Sequence, residues 1–265
     1  MSKKMSNAPV YFTVAQIQFN PILDMDGYLP AIQEKMRITH FPDFKRESVQ
    51  QLTIPFASSS QVGQAVAPSF VPRARCIFGN IEGTTEFVLE NNALALQTTA
   101  YDTFETFSKT LLDGLEIVHS ALQLDFTQRV GLRYLDAVLP NQGESLSDYL
   151  TPEVLGLALK LTERRLSHSF NETVTLSSKG KLVSRVIIQD GPVGLPPELL
   201  TLAPHIDSRF TQFNGLHAII DTDASTEQRE ALNIGKLGQG LFALHDEIEK
   251  SFVLTVTSTA LERWS

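Results

Sequence analysis

Residues 111–130 and 237–256 write one pattern twice, and a chain with this echo must find a use for the same segment in two places. At an offset of 126, Leu111, Gly114, Leu115, His119, Phe126 and Val130 return as Leu237, Gly240, Leu241, His245, Phe252 and Val256. Val118 and Leu122 return as Leu244 and Ile248. Six identities in twenty positions exceed the roughly one that average composition gives at a single offset. Leu111, Leu115, Val118 and Leu122 follow the i, i+4, i+7, i+11 spacing of an apolar stripe along a helix. The echo therefore predicts two long helices, each laid across a sheet, in a tandem duplication.

The flanking sequence extends the repeat. The first unit, residues 1–125, reads as a strand at Tyr11–Asn20, a helix at Tyr28–Ile38, and strands at Val49–Phe56, Arg75–Asn80, Glu86–Glu90 and Leu94–Thr99. The long helix follows, over about Thr103–Gln123, with Asp102-x-x-Glu105 resembling a capping box. The second unit, residues 126–265, reads as a strand at Phe126–Leu139, a helix with Pro152 in its first turn running to about Leu161, and strands at Ser169–Leu176, Leu182–Gln189 and Leu216–Asp221. Ser225-x-x-Gln228 then marks a capping box before a helix ending near Lys250. Phe252–Thr257 reads as a closing strand. The expected fold is α+β, two strand–helix–antiparallel strands–long helix units about a pseudo-two-fold axis, with an extra C-terminal strand. Two stretches interrupt the pattern. Ala57–Pro72 reads as mobile, and Asp190–Gly215, rich in Leu, Phe and Pro, as a lid or a partner-binding arm.

Composition narrows the function classes. The 22 basic and 30 acidic residues give a net charge of −8, which argues against a phosphate-binding surface and so against nucleic acid. Cys76 is the lone cysteine, which removes disulfide frameworks and thiolate metal sites and fits a reducing cytoplasm. No window is apolar enough to span a membrane. No cofactor is expected.

Compact motifs are missing: there is no phosphate loop, His-Glu-x-x-His, paired cysteine or nucleophile elbow. Gly235-Lys-Leu-Gly-Gln-Gly240 falls inside the second long helix and reads as close helix packing. His119 and His245 sit at the margin of each apolar stripe. They are a symmetric pair of general bases or ligands, or half-buried histidines favoured near helix C-termini. In Arg129-Val-Gly-Leu-Arg-Tyr-Leu-Asp136, strand alternation sends Arg133 one way and Tyr134 and Asp136 the other. Matching Ala15 to Gly131 sets Gln18 and Asn20 where Tyr134 and Asp136 stand. These four define an expected polar cleft between the units, with Arg133 anchoring another element, or a network that merely joins the units.

Several phrases carry a resemblance over nearly the whole chain. They are Phe19-Asn20-Pro21 through Tyr28-Leu29-Pro30, Gln33-Glu34 to Arg37, Phe41-Pro42-Asp43-Phe44, Phe87-Val88-Leu89, Gln97-Thr98-Thr99-x-Tyr101-x-Thr103-Phe104-Glu105 and Gly131–Asp136, with His245, Phe252 and Trp264 beyond. Together they resemble an uncharacterised, sporadically distributed family of prokaryotic proteins of about this length, which has no established activity to carry over. Cys76, where an aromatic is usual, and His40, where a glycine is usual, depart from its pattern. The family's patchy occurrence implies an accessory role, such as a toxin–antitoxin or defence component.

The leading expectation is a non-enzymatic protein that binds another protein, as an antitoxin-like or regulatory partner, with a homodimer in view. The alternative is a small-ligand sensor or enzyme using Tyr134, Asp136 and one of the two histidines beneath a curved sheet. A deep pocket lined by those groups, with shifted titration, would favour it.

Overall fold

Apolar residues alternate with polar ones along most of the strand-forming segments, and the result is one antiparallel sheet. The computed structural model describes residues 6–53, 69–161, 163–199 and 204–265. In chain order it contains β1 (Val10–Phe19), α1 (Leu29–Ile38), β2 (Asp43–Thr53), β3 (Ser69–Gly79), β4 (Thr85–Glu90), β5 (Ala93–Thr98), α2 (Phe104–Leu122) and β6 (Phe126–Val138). Then follow α3 (Pro152–Leu155), β7 (His168–Ser177), β8 (Gly180–Pro192), α4 (Ser208–Thr211), β9 (Asn214–Thr226), β10 (Glu230–Ala231), α5 (Ile234–Thr255) and α6 (Ser258–Trp264). The sheet runs β2-β3-β4-β5-β1-β6-β9-β8-β7, with β10 paired to the start of β6. The fold is thus an α+β mixture built on an antiparallel sheet.

β1 and β6 lie side by side at the centre, where Ala15 faces Leu132 and Gln16 faces Gly131. A bulge near Tyr11 shifts the register, so Val10 faces Asp136 while Phe12 faces Leu135. Residues 1–125 and 126–265 accordingly contribute adjoining parts of one sheet.

Period-two alternation gives the sheet two different faces. Ala15, Ile17 and Phe19 of β1, with Leu132 and Tyr134 of β6, point to the face covered by α1, α2 and α5. Both echoed stripes enter this core: Leu111, Leu115, Val118 and Leu122 from α2, and Leu237, Leu241, Leu244 and Ile248 from α5, are all buried. A second cluster joins Val138, Ile188 and Ile220 to Tyr149, Leu150 and Trp264. The opposite face carries Tyr11, Leu135, Ala137 and Ile219, covered by Leu199 and Phe210 of the 190–215 segment.

The C-terminus departs from expectation. Phe252–Thr257 does not form a closing strand: α5 continues to Thr255, and only Val256 makes a bridge, to Leu150. The physical reason is that Ile248, Phe252 and Thr255 extend the helical period of the stripe, while Val253 and Leu254 between them are exposed. α6 then returns Ala260 and Trp264 to the core. Both predicted capping boxes are displaced. Thr103 caps α2 by accepting from the Thr106 N–H, and Asn233 caps α5 by accepting from the Lys236 N–H. Ser225 instead lies in β9, since the strand persists to Thr226. The helix beginning at Pro152 is a single turn followed by a 3₁₀ turn over Gly156–Leu159.

Of the two irregular stretches, Ala57–Pro72 lies outside the described residues up to position 68, and its remainder begins β3. Asp190–Gly215, apart from positions 200–203, which lie outside the described residues, packs on the sheet. The Tyr11 hydroxyl donates to the Gly194 carbonyl at 2.8 Å, and the Tyr11 ring meets Phe210 with centroids 5.4 Å apart.

Candidate functional site

Tyr134 and Asp136 stand two residues apart on β6, so both side chains reach the helical face. The N-terminal turn of α2 and the middle of α5 meet above them, enclosing a cavity of about 200 Å³. Its walls include Tyr101, Phe104, His245 and Phe252, and Ala8–Val10 close one side.

The polar groups form a chain. Tyr101 Oη and Tyr134 Oη are 3.0 Å apart, and Tyr134 Oη lies 3.2 Å from His245 Nδ1. Tyr134 can therefore donate to a neutral imidazole while accepting from Tyr101. The rings fix this geometry: His245 stacks on Phe104 with centroids 4.2 Å apart and planes 1° apart, and Tyr101 meets Tyr134 edge-on at 5.2 Å. In the same cross-strand row, Thr13 and Thr222 flank Tyr134, and each has a buried hydroxyl without a hydrogen-bond partner. An unpaired buried hydroxyl is costly, which marks this row as unusual in the core.

Burial shifts the titration of these groups. It raises the Tyr134 phenol well above its ordinary range, with Tyr101 adding to the effect, and it raises Tyr101 likewise. It lowers His245 against the pull of Glu249 and Glu105, favouring the neutral ring. Asp136 is pushed up to about 7, first by burial and then by the charge of Asp221. A neutral imidazole, two phenols and a carboxyl titrating near neutrality can orient a polar ligand and exchange a proton with it.

The remaining sequence-predicted residues lie elsewhere. Gln18 and Asn20 do not join Tyr134 and Asp136, because β1 and β6 are antiparallel and their C-terminal ends lie at opposite ends of the pair. Gln18 donates to Gln16 on the opposite face of the sheet. Asn20 is structural: its Oδ1 accepts from the backbone N–H groups of Asp125 and Phe126, at 2.9 and 3.4 Å, and fixes the entry to β6. His119 is half-buried, does not line the cavity, and its Nδ1 has no hydrogen-bond partner.

Arg133 points away from the cavity. Its guanidinium forks onto Asp221, with both bonds at 2.7 Å, and reaches Glu198 at 2.9 Å, tying the 190–215 segment to the sheet. Arg129 lies on the same face, folded across Gly131, where an added Cβ would be 2.8 Å from its Nη1. Among the described residues, no group of three or more His, Cys, Asp or Glu side chains is placed to hold a metal ion.

Residue-by-residue reading missed Tyr101, Phe104 and the flanking acids Glu105 and Glu249. The available signal was that Tyr101 to Glu105 lead into the same long helix whose echo carries His245. No family model and no curated protein matches this chain.

Proposed function

We propose that this protein binds a small molecule in the cavity between β6, the start of α2 and the middle of α5. The observation that carries the reading is the convergence of Tyr101, Tyr134, Asp136 and His245 from three elements onto one cavity. Apolar walls with a few convergent polar groups and perturbed titration are the usual chemistry of a ligand site. The hydrogen-bonded Tyr101–Tyr134–His245 chain orients the ligand, and the stacked Phe104 keeps the imidazole in place.

The test is a fragment screen by ligand-observed NMR, repeated on Val10→Phe. Val10 faces Asp136 across the β1–β6 pair and lines the cavity, so a phenyl ring there fills it. Fragments lost in that variant support the reading; fragments that bind both proteins equally, or a screen without hits, sink it.

A second reading, engagement of another protein, is supported by β7. This strand ends the sheet, and its Phe170, Val174 and Leu176 are exposed. Its register with β8 is regular across all ten residues, and it carries no Pro, Lys or bulge of the kind that blunts a sheet edge. We further read the chain as a tandem duplication. Supporting it are the echoed stripes, the central β1–β6 pair, and the placing of β5 beside β1 and of β9 beside β6.

A further inference from the structure

Among the described residues, the charged side chains that line the cavity are all acidic. Asp102, Glu105, Asp136 and Glu249 line it, and no described Lys or Arg does. Acidic residues gather on many surfaces without binding anything, but Asp136 differs from its neighbours here. It is 8% exposed, lines the cavity at its floor, and makes no hydrogen bond or ion pair with any described residue. A buried carboxyl group without a donor is a cost that folding does not recover by itself. Aromatic residues complete the lining: Tyr101, Phe104, Tyr134 and Phe252.

We infer that the cavity recognises an organic cation, a small primary or secondary amine in its ammonium form. The inference rests on the small-molecule reading above and specifies its ligand class. An ammonium N–H donates to the Asp136 carboxylate, supplying the donor that this group lacks. The aromatic rings meet the cation and its apolar body with their faces, which carry partial negative charge. Glu105 and Glu249, exposed at the rim, draw cations toward the opening. His245 stays neutral because burial lowers it, so it does not repel the ligand.

Three probes of one shape separate the possibilities: benzylamine, benzyl alcohol and benzoate, titrated by calorimetry into the full chain near pH 8. Benzylammonium is expected to bind about tenfold or more tightly than benzyl alcohol, and benzoate not to bind, since a charge-assisted hydrogen bond exceeds a neutral one. Asp136→Asn, which keeps the shape, should cost benzylammonium about tenfold or more and leave benzyl alcohol unchanged. Glu249→Gln, at the exposed rim, guards against a folding artefact; it should weaken benzylammonium by about two- to threefold and less so at high salt. Benzyl alcohol or benzoate binding as well as benzylammonium would overturn the cation inference and leave the ligand site standing. If none of the three binds and the fragment screen also returns nothing displaced by Val10→Phe, both readings fail together.

Discussion

A β-carbon on Gly114 would lie 2.3 Å from the ring of Phe87. The middle of α2 therefore rests directly on β4, with the glycine as the point of closest approach. Gly240, its counterpart in the echo, has nothing within 4 Å of the same position. One repeated letter thus has two physical meanings. The stripe of leucines is buried in both helices, while the glycine is a packing requirement only in the first.

This difference predicts opposite outcomes for one substitution. Gly114→Ala forces Phe87 or the helix to move and should destabilise by about 1–3 kcal/mol, as overpacking does. Gly240→Ala should be neutral or stabilise by up to about 1 kcal/mol through helix propensity. Urea unfolding of the two variants decides the matter, and equal midpoints would remove Phe87 from the explanation.

The ion pair beneath the 190–215 segment is the next test. Asp221 is 1% exposed and is held by the Arg133 fork, with Arg185 adding a bond at 3.2 Å. Arg133→Ala leaves a buried carboxylate short of donors and should cost about 3–5 kcal/mol. It also releases Glu198, so limited proteolysis should cut near residues 195–199 sooner. Glu198→Gln is half of a mostly exposed contact and should cost at most about 1 kcal/mol. A proteolysis pattern unchanged in Arg133→Ala would show that the apolar packing of Leu199 and Phe210 alone retains the segment.

The sequence carried most of the fold. Strand-like stretches located β1 and β3 to β9, although β2 spans Asp43–Thr53 where Val49–Phe56 was expected, and the repeated stripe located α2 and α5, because burial on one face of a helix writes a period into the chain. What it could not carry was strand order. Sheet neighbours are set by contacts distant in sequence, so the antiparallel pairing of β1 with β6, which separates Asn20 from Asp136, left no local mark. The C-terminal strand was misread because six residues of Phe, Val, Leu and Thr fit both periods, and length decided for the helix. Tyr134 and Asp136 were legible as a shared face. Tyr101 and Phe104 were not, since only tertiary packing brings the start of α2 to β6.

The end of the chain offers a prediction that the misread strand would not have given. Trp264 is buried against Tyr149 and Phe252, and Ala260 is fully enclosed beside it. Trp264→Ala should cost about 3–5 kcal/mol by opening a cavity in the second cluster. Leu254→Ala, one residue before the end of α5 and 78% exposed, should change stability by less than about 0.5 kcal/mol. If Leu254→Ala proved the more damaging of the two in thermal unfolding, the helical end of α5 would be wrong.

The pH dependence of stability follows from Asp136. Its carboxyl titrates at about 7 instead of the ordinary 3.8, because burial and the charge of Asp221 disfavour ionisation. For a raised acid, the folded chain holds a proton that the unfolded chain has released. The contribution is therefore fully present below about pH 4, falls as pH rises, and is lost above about pH 7. The shift bounds the loss at about 4 kcal/mol. His245, lowered by burial, acts in the opposite sense: its contribution is present above its ordinary range and is lost as pH falls. The wild-type profile mixes the two, so the useful quantity is the difference from Asp136→Asn, which retains His245, Glu105, Glu249 and Asp221 unchanged. That difference should be small near pH 4 and should grow in favour of the variant up to pH 7, then level. Chemical denaturation at intervals across this range measures it. A difference constant with pH would mean that Asp136 does not titrate in this window.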